Sequence, residues 1–296
     1  MSGNLSEEEP LVSVCVISYN HEKFIETALA GILRQRVAFN VQLVISDDCS
    51  SDQTPQLIQK MSENLDSKVA VEVYCQSKNL GVIGNFMFAL KKCTGKYIAI
   101  CEGDDFWTDE EKLALQAALL EENPELAGSF HKVKVRYEGK PYLTGEYGRG
   151  VPSILTTKDL ISEKSLMHTS SLFFRREALV FPDWYPTMLS GDFALASILS
   201  AYGAFSRIDR YMSTYRVHET GITNSHAYNR DNIDLKIRIV THLNEFHDFR
   251  YAHEFESLIE ELRSKKERKT GFVKALRRRL KIGLLVKRLR YWLHQV

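Results

Sequence analysis

Residues 102–105, Glu-Gly-Asp-Asp, put three carboxylates within four positions, directly behind the mostly apolar run "YIAIC" at 97–101. Acids this close repel one another unless a cation sits among them or water surrounds them. Behind a segment that reads as a buried strand, they point to a hard divalent ion, magnesium or manganese. Such an ion keeps coordination positions open for substrate phosphates. A solvated turn in which Asp105 caps the next segment is the structural alternative. A second acidic pair, Asp47-Asp48 in "VISDDCSSDQT", also follows an apolar run. Consecutive carboxylates leaving a strand point to opposite sides, so one can face a cleft while the other fixes the turn. A carboxylate here could accept hydrogen bonds from a nucleobase imide or a ribose hydroxyl. The plain alternative is an Asx turn and helix cap, which Asp52 and Thr54 could supply.

The elements that must position these acids are short apolar runs alternating with helical patterns. Strands are expected at 12–18, 41–47, 69–75 and 96–101, with helices at about 22–35, 55–64 and 83–93. Near-continuous apolar strands separated by helices form a parallel sheet covered on both faces. Ligands bind beyond the carboxyl ends of such strands, where both acid clusters fall. A helix then starts with Thr108 as cap and Glu111 three positions on, the pattern of a capping box. Further on, "GSFHKVKVRY" and "TSSLFFRR" read as strands, 138–153 as a loop rich in Gly and Pro, and 190–202 as a helix. "FSRI" and "YMSTYR" read as two short strands, and the chain from about 226 onward as mostly helical.

At 296 residues, with 44% hydrophobic content, the chain can bury one substantial core or one core and an appendage. Its formal charge of +1 is unevenly spread. Residues 263–296 carry 13 Lys and Arg against one Glu, leaving 26 basic against 37 acidic residues before them. Five cysteines without a CxxC pair imply a reducing compartment. The absence of a signal sequence and of a long apolar stretch implies a cytoplasmic protein without a spanning helix.

The segments "SVCVISYN", "VISDDCSSDQT", "KNLGVIGNF" and "GKYIAICEGDDFWTDEEKL" resemble, in order, the motifs of family 2 glycosyltransferases, inverting enzymes of the GT-A fold that use nucleotide sugars. The resemblance covers roughly residues 10–220. It implies an α/β GT-A domain, with a mostly parallel central sheet flanked by helices, over 1–225. Residues 10–107 would be the nucleotide-binding half and 108–225 the acceptor half, followed by a helical extension over 226–296. It further implies that Tyr19 lies against the base, that Asp47 and Asp48 read the nucleoside, and that Asp104 is the main metal ligand. Ile17, Asn20, Asn79, Asn85 and Gly103 fall in the same motifs and are expected at the donor. Glu102 stands where the family's first DxD acid would be, and its role is open between the ion and a sugar or ribose hydroxyl. "LSGDFALASILSAYG" resembles the family's general-base segment and points to Asp192, although an Asp after Gly also suits a helix cap. "YRVHETGIT" resembles a later YRxH element, which would bring His218 to the diphosphate or metal.

The implied activity is metal-dependent, inverting transfer of a sugar from a nucleotide donor, a UDP-sugar, to a glycan or lipid-linked acceptor in surface-polysaccharide assembly. A sugar-nucleotide-binding protein without transfer activity is the rival. A dinucleotide oxidoreductase lacks the GxGxxG expected after the first strand, and a nucleotidyltransferase would carry a Gly-rich basic loop where this chain has "SYNHEKF". The basic tail has Phe272, Leu276, Leu280 and Leu284 at helical spacing, the pattern of an interfacial helix. It is expected to hold the enzyme at the inner face of an anionic membrane; packing on the acidic body or on a partner chain is the alternative, and nucleic acid is not expected. Self-association is left open.

Overall fold

Seven-residue, mostly apolar segments form β1 (Val12–Ser18), β2 (Val41–Asp47) and β3 (Val69–Cys75), joined by α1 (Ile25–Leu33) and α2 (Thr54–Met61). Then α3 (Gly81–Lys92) leads into β4 (Tyr97–Glu102). The computed structural model describes residues 9–63, 68–162, 165–188, 191–221 and 233–268. All four strands run parallel in the order β3-β2-β1-β4. β1 and β2 are buried at every position, as expected of strands covered on both faces. Cys15, Ile98 and Ile100 face Phe86, Ala89 and Leu90 of α3 on one side. Val14, Val16, Leu43 and Ile45 face Ile25, Leu29 and Ile32 of α1 on the other. No side chain caps α1. Burial holds it in place: each of those three residues contributes roughly 1.5–3 kcal/mol, against about 1 kcal/mol for a missing cap.

The sheet continues through β9 (Phe173–Arg175), antiparallel to both β4 and β6 (Leu126–Tyr137). β10 (Ala204–Val217) runs parallel to β6, and β5 (Phe106–Trp107) and β8 (Ile154–Leu155) pair antiparallel with β10. α4 (Lys112–Glu122), α5 (Thr157–Leu160) and α6 (Gly191–Leu199) complete this half. The chain divides into two compact units, Met1–Asn229 and Arg230–Val296. Within the second lie α7 (Ile233–Phe246) and a further helix over 252–268. Among the described residues no helix is long and apolar enough to cross a membrane. The expected interfacial helix, with Phe272, Leu276, Leu280 and Leu284, lies outside the described residues. All five cysteines are free.

Several expectations are corrected. Residues 138–153 are not a featureless loop: β7 (Thr144–Tyr147) pairs with Val133–Arg136 of β6. Gly139, Gly148 and Gly150, at positive φ, mark the corners of that segment. "FSRI" and "YMSTYR" belong to one strand, β10, whose register shifts between Ile208 and Ser213 absorb the polar Asp209-Arg210 pair. Thr169–Ser171 form a 3-10 turn, closed by Leu172 N–H on the Thr169 carbonyl (3.0 Å), so only Phe173–Arg175 is strand. Thr108 makes no capping box, because its N–H extends the β5–β10 pairing to the Met212 carbonyl (2.9 Å). Asp109 Oδ1 instead accepts the Glu111 N–H (2.9 Å) just before α4.

Candidate active site

The register opposes Ser18 to Asp47 and Ile17 to Glu102. The carboxyl ends of β1, β2 and β4 are therefore level, and the two acid clusters flank the loop that leaves β1. Asp47 is fully buried and serves as an anchor. Its carboxylate accepts the Ser18 hydroxyl (2.8 Å), the Ser50 N–H (2.9 Å) and the Ser50 hydroxyl (2.6 Å). Asp48 turns the other way and accepts the Leu80 N–H at 2.6 Å, ahead of α3. Burial raises its carboxyl above the ordinary range, although the Leu80 and Gly81 N–H groups pull against that. Asn79 bonds the Asp48 carbonyl (3.3 Å) and the Gly81 N–H (2.9 Å). Asn85 is buried in α3, with its two amide atoms bonded to the Ser46 hydroxyl (2.6 Å) and carbonyl (2.9 Å). It thus ties α3 to β2. Tyr19 is exposed. Asn20 adopts φ 55° and accepts the Ser51 N–H (2.9 Å), fastening the β1 loop to the β2 loop.

The Glu-Gly-Asp-Asp cluster divides its acids among different neighbours. Gly103 donates its N–H to the Ile17 carbonyl (2.9 Å). A Cβ at this position would lie 2.9 Å from His21 Nδ1, 3.0 Å from Ile25 Cδ1 and 3.1 Å from the Ile17 oxygen, so any larger residue crowds the turn. Asp104 Oδ2 lies 3.1 Å from His218 Nε2 and 3.6 Å from His21 Nε2. Burial works against its charge. The His21 imidazole and then the His218 hydrogen bond outweigh that and hold the carboxyl at about 2. Asp105 points inward, with Oδ1 accepting the Arg216 N–H (2.9 Å) and Oδ2 buried without a hydrogen-bond partner. Burial, reinforced by the charges of Asp104 and Glu102, pushes this carboxyl well above the usual range. The Arg216 guanidinium donates to the Asp104 carbonyl (2.9 Å) and lies over the Phe106 ring. Histidines and Arg216 thus meet part of the repulsion that the sequence reading assigned to a metal ion.

Asp104 and His218 nonetheless fit a divalent cation. Their facing atoms are separated by about the spacing of neighbouring ligands on one ion. The buried Nδ1 of His21 beside them has no hydrogen-bond partner. Glu102, Asp105 and His168 form a second group whose ligand atoms all lie within 4.8 Å of one another. There the His168 Nδ1 already accepts the Ser170 N–H (3.2 Å), which weakens it as a ligand. Asp192 stands in the first turn of α6, and its side chain lies outside the described residues.

His21, His168 and Arg216 escaped the sequence reading. Arg216 was findable, because in a strand it shares the face of His218 two positions on. His21 and His168 have no comparable signal, since the acids they approach are more than sixty positions away.

Residues 13–181, more than half of the chain, match the model of glycosyl transferase family 2. The chain belongs to that family. An uncharacterized protein of Mycobacterium tuberculosis is 32% identical over 218 residues, covering 72% of this chain and 61% of the relative. The chain thus spans about three fifths of that relative's length. TarS of Staphylococcus aureus, a poly(ribitol-phosphate) β-N-acetylglucosaminyltransferase, is 30% identical over 164 residues, 54% of this chain and 26% of TarS. The crystal structure of TarS 1–349 in complex with UDP-GlcNAc superposes with a TM-score of 0.60 at 22% identity, covering 85% of this chain and 71% of that one. The mannosyltransferase PcManGT of Pyrobaculum calidifontis, in complex with GDP-Man and Mn2+, gives 0.56 at 18% identity over 87% and 74%. At these identities the likeness shows the fold, the GT-A α/β architecture of the family.

Proposed function

We propose that the protein transfers a sugar from a nucleotide donor, a UDP-sugar, to a hydroxyl of a glycan or lipid-linked acceptor, with inversion at the anomeric carbon, in surface-polysaccharide assembly. One observation carries the reading. The half-buried, ionised Asp104 faces His218 at the carboxyl ends of the parallel strands, across the β1 loop from the Asp47–Asp48 turn. The UDP-GlcNAc complex of TarS supports the donor class, and the Mn2+ complex of the mannosyltransferase supports a cation.

Asp104 and His218 would hold magnesium or manganese, and an imidazole in the set favours manganese. Such an ion supplies charge neutralisation for a departing diphosphate. An acceptor hydroxyl has a pKa far above neutrality and must lose its proton as it attacks; Asp192 accepts that proton. Attack from the face opposite the leaving group inverts the configuration. The Asp47 and Asp48 turns hold the nucleoside end through the loops they brace. The basic segment after 268 docks the enzyme on the inner face of an anionic membrane.

The test is a donor screen on the purified chain, scoring thermal stabilisation by nucleotide sugars with and without manganese. Manganese-dependent stabilisation by UDP-sugars is expected. Stabilisation by NAD(P) instead would overturn the assignment.

A further inference from the structure

Three rings from three separate elements meet beside Glu102 and Asp105: Tyr147 of β7, His168 ahead of the 3-10 turn, and Tyr215 of β10. The His168 and Tyr215 centroids are 4.3 Å apart with planes at 35°. Tyr147 lies 5.2 Å from His168 and 6.2 Å from Tyr215. Neither tyrosine is packed away in the core; both are half-buried. His168 Nδ1 is 3.7 Å from Asp105 Oδ2, 2.9 Å from the Ser170 hydroxyl and 3.2 Å from the Ser170 N–H. Glu102 and Asp105 both lie within the 4.8 Å group.

A cation alone would match the carboxylates and make no use of the tyrosines. A nucleobase would match the rings, but the reading above already places it at the Asp47–Asp48 turn, on the far side of β1. A pyranose matches both, because its C–H face suits the negative face of an aromatic ring and its hydroxyls donate to carboxylates. Glu102 stands two positions before Asp104, and the sugar of a nucleotide donor is bonded directly to the diphosphate that Asp104 serves. That favours the sugar being transferred over the acceptor.

We propose that Tyr147, His168 and Tyr215 form the wall against which the transferred pyranose lies, with Glu102 accepting its hydroxyls, and that this wall sets which sugar is taken. The inference rests on the nucleotide-sugar reading above. It is tested by calorimetric titration of UDP, UDP-GlcNAc and UDP-glucose into the full chain with manganese, for wild type, Tyr147→Leu, Tyr147→Phe and Glu102→Gln. Leucine fills the space without a ring face, and the glutamine variant probes the same site without disturbing the rings.

In Tyr147→Leu and Glu102→Gln, affinity for UDP should stay within about twofold of wild type, while the better-bound UDP-sugar weakens roughly fivefold or more; Tyr147→Phe should behave as wild type. Equal changes for UDP and UDP-sugar, or no change for either, would overturn the wall. So would an effect confined to the KM of an acceptor saccharide, which would place the acceptor ring here. Failure of wild type to bind UDP at all would overturn the underlying donor assignment, and that outcome is separate from the variant arms.

Discussion

Asp104 Oδ2 lies 3.1 Å from His218 Nε2 across 114 positions of chain. His218 Nδ1 lies 2.9 Å from the Thr220 hydroxyl, and the ring packs on Phe24 at 4.5 Å. For Nε2 to offer a lone pair to a cation, the ring proton must sit on Nδ1, where Thr220 can accept it. Thr220→Val should therefore weaken manganese binding roughly tenfold, and His218→Ala at least as much. UDP affinity in chelator should be unchanged in both. Manganese titration followed by electron paramagnetic resonance reads this directly, and wild-type affinity in His218→Ala would remove the residue from the ion site.

Asp105 carries the opposite shift from Asp104, one residue away. Its folded value is raised, so its contribution to stability is full below its ordinary value of about 3.8 and is lost as pH rises through the folded value. Asp105→Asn keeps the oxygen that accepts the Arg216 N–H and removes the buried charge. In chelator, the variant should melt above wild type at pH 7.5, with the difference closing near pH 4. Asp105→Ala leaves that N–H unpaired and should cost about 1–3 kcal/mol at either pH. A lower melting point for Asp105→Asn at pH 7.5 would show that the ionised carboxylate is compensated by neighbours.

The parallel half of this architecture was legible because each strand is a mostly apolar run with acids or small residues at its end, and β1, β2 and β3 begin and end where those runs do. Strands of two to four residues, such as β5, β7 and β8, are too short to carry a period, and they escaped. The acid clusters could be placed at the strand ends, but the division of labour among them could not. Whether Asp104 or Asp105 turns outward is decided by Arg216, His218 and His168, whose partnership with the loop depends on the β6–β10 pairing and on β9 joining the two halves of the sheet. Long-range register of that kind leaves no local trace in composition or spacing.

Gly103→Ala tests how tightly the acid turn is seated. An added Cβ meets the Ile17 carbonyl oxygen at 3.1 Å, and backbone cannot swing aside as a side chain can. The turn must shift and carry Asp104 with it. The variant should lose about 1–3 kcal/mol of stability in urea melts, together with measurable manganese binding. Full retention of both would mean that the loop has slack absent from its packing.

Lys112 offers a pH test that uses no proposed ligand of the ion. It is fully buried, donates to Gln116 Oε1 at 2.6 Å and lies 4.2 Å over Trp107. Burial lowers its ammonium to about 7. A base with a depressed folded value loses stability as pH falls from its ordinary value, about 10.5, to the folded one. Lys112→Met keeps most of the volume and removes that slope. It should be more stable than wild type at pH 7. Above pH 10.5 it should be less stable by about 1 kcal/mol, the hydrogen bond to Gln116 having been lost. Parallel curves for the two proteins across this range would show that the ammonium is solvated or paired.

Asp192 is the proposed base, and its chemistry separates from donor binding more cleanly than that of any acid near β4. A carboxylate that only receives the acceptor's proton has nothing to do in the binary complex, so Asp192→Asn should leave UDP-sugar and manganese affinity unchanged. Transfer needs that proton removed as the bond to the anomeric carbon forms, and a positioned base supplies roughly 10²- to 10⁴-fold of rate. The variant should therefore lose kcat by that factor with little change in donor KM. The residual rate should rise with pH, as hydroxide takes over the role. If Asp192 served only the first turn of α6, the Asn variant would keep full turnover. Single-turnover transfer by the Asn variant at the wild-type rate would leave α6 a structural helix and send the search for the base elsewhere in the acceptor half.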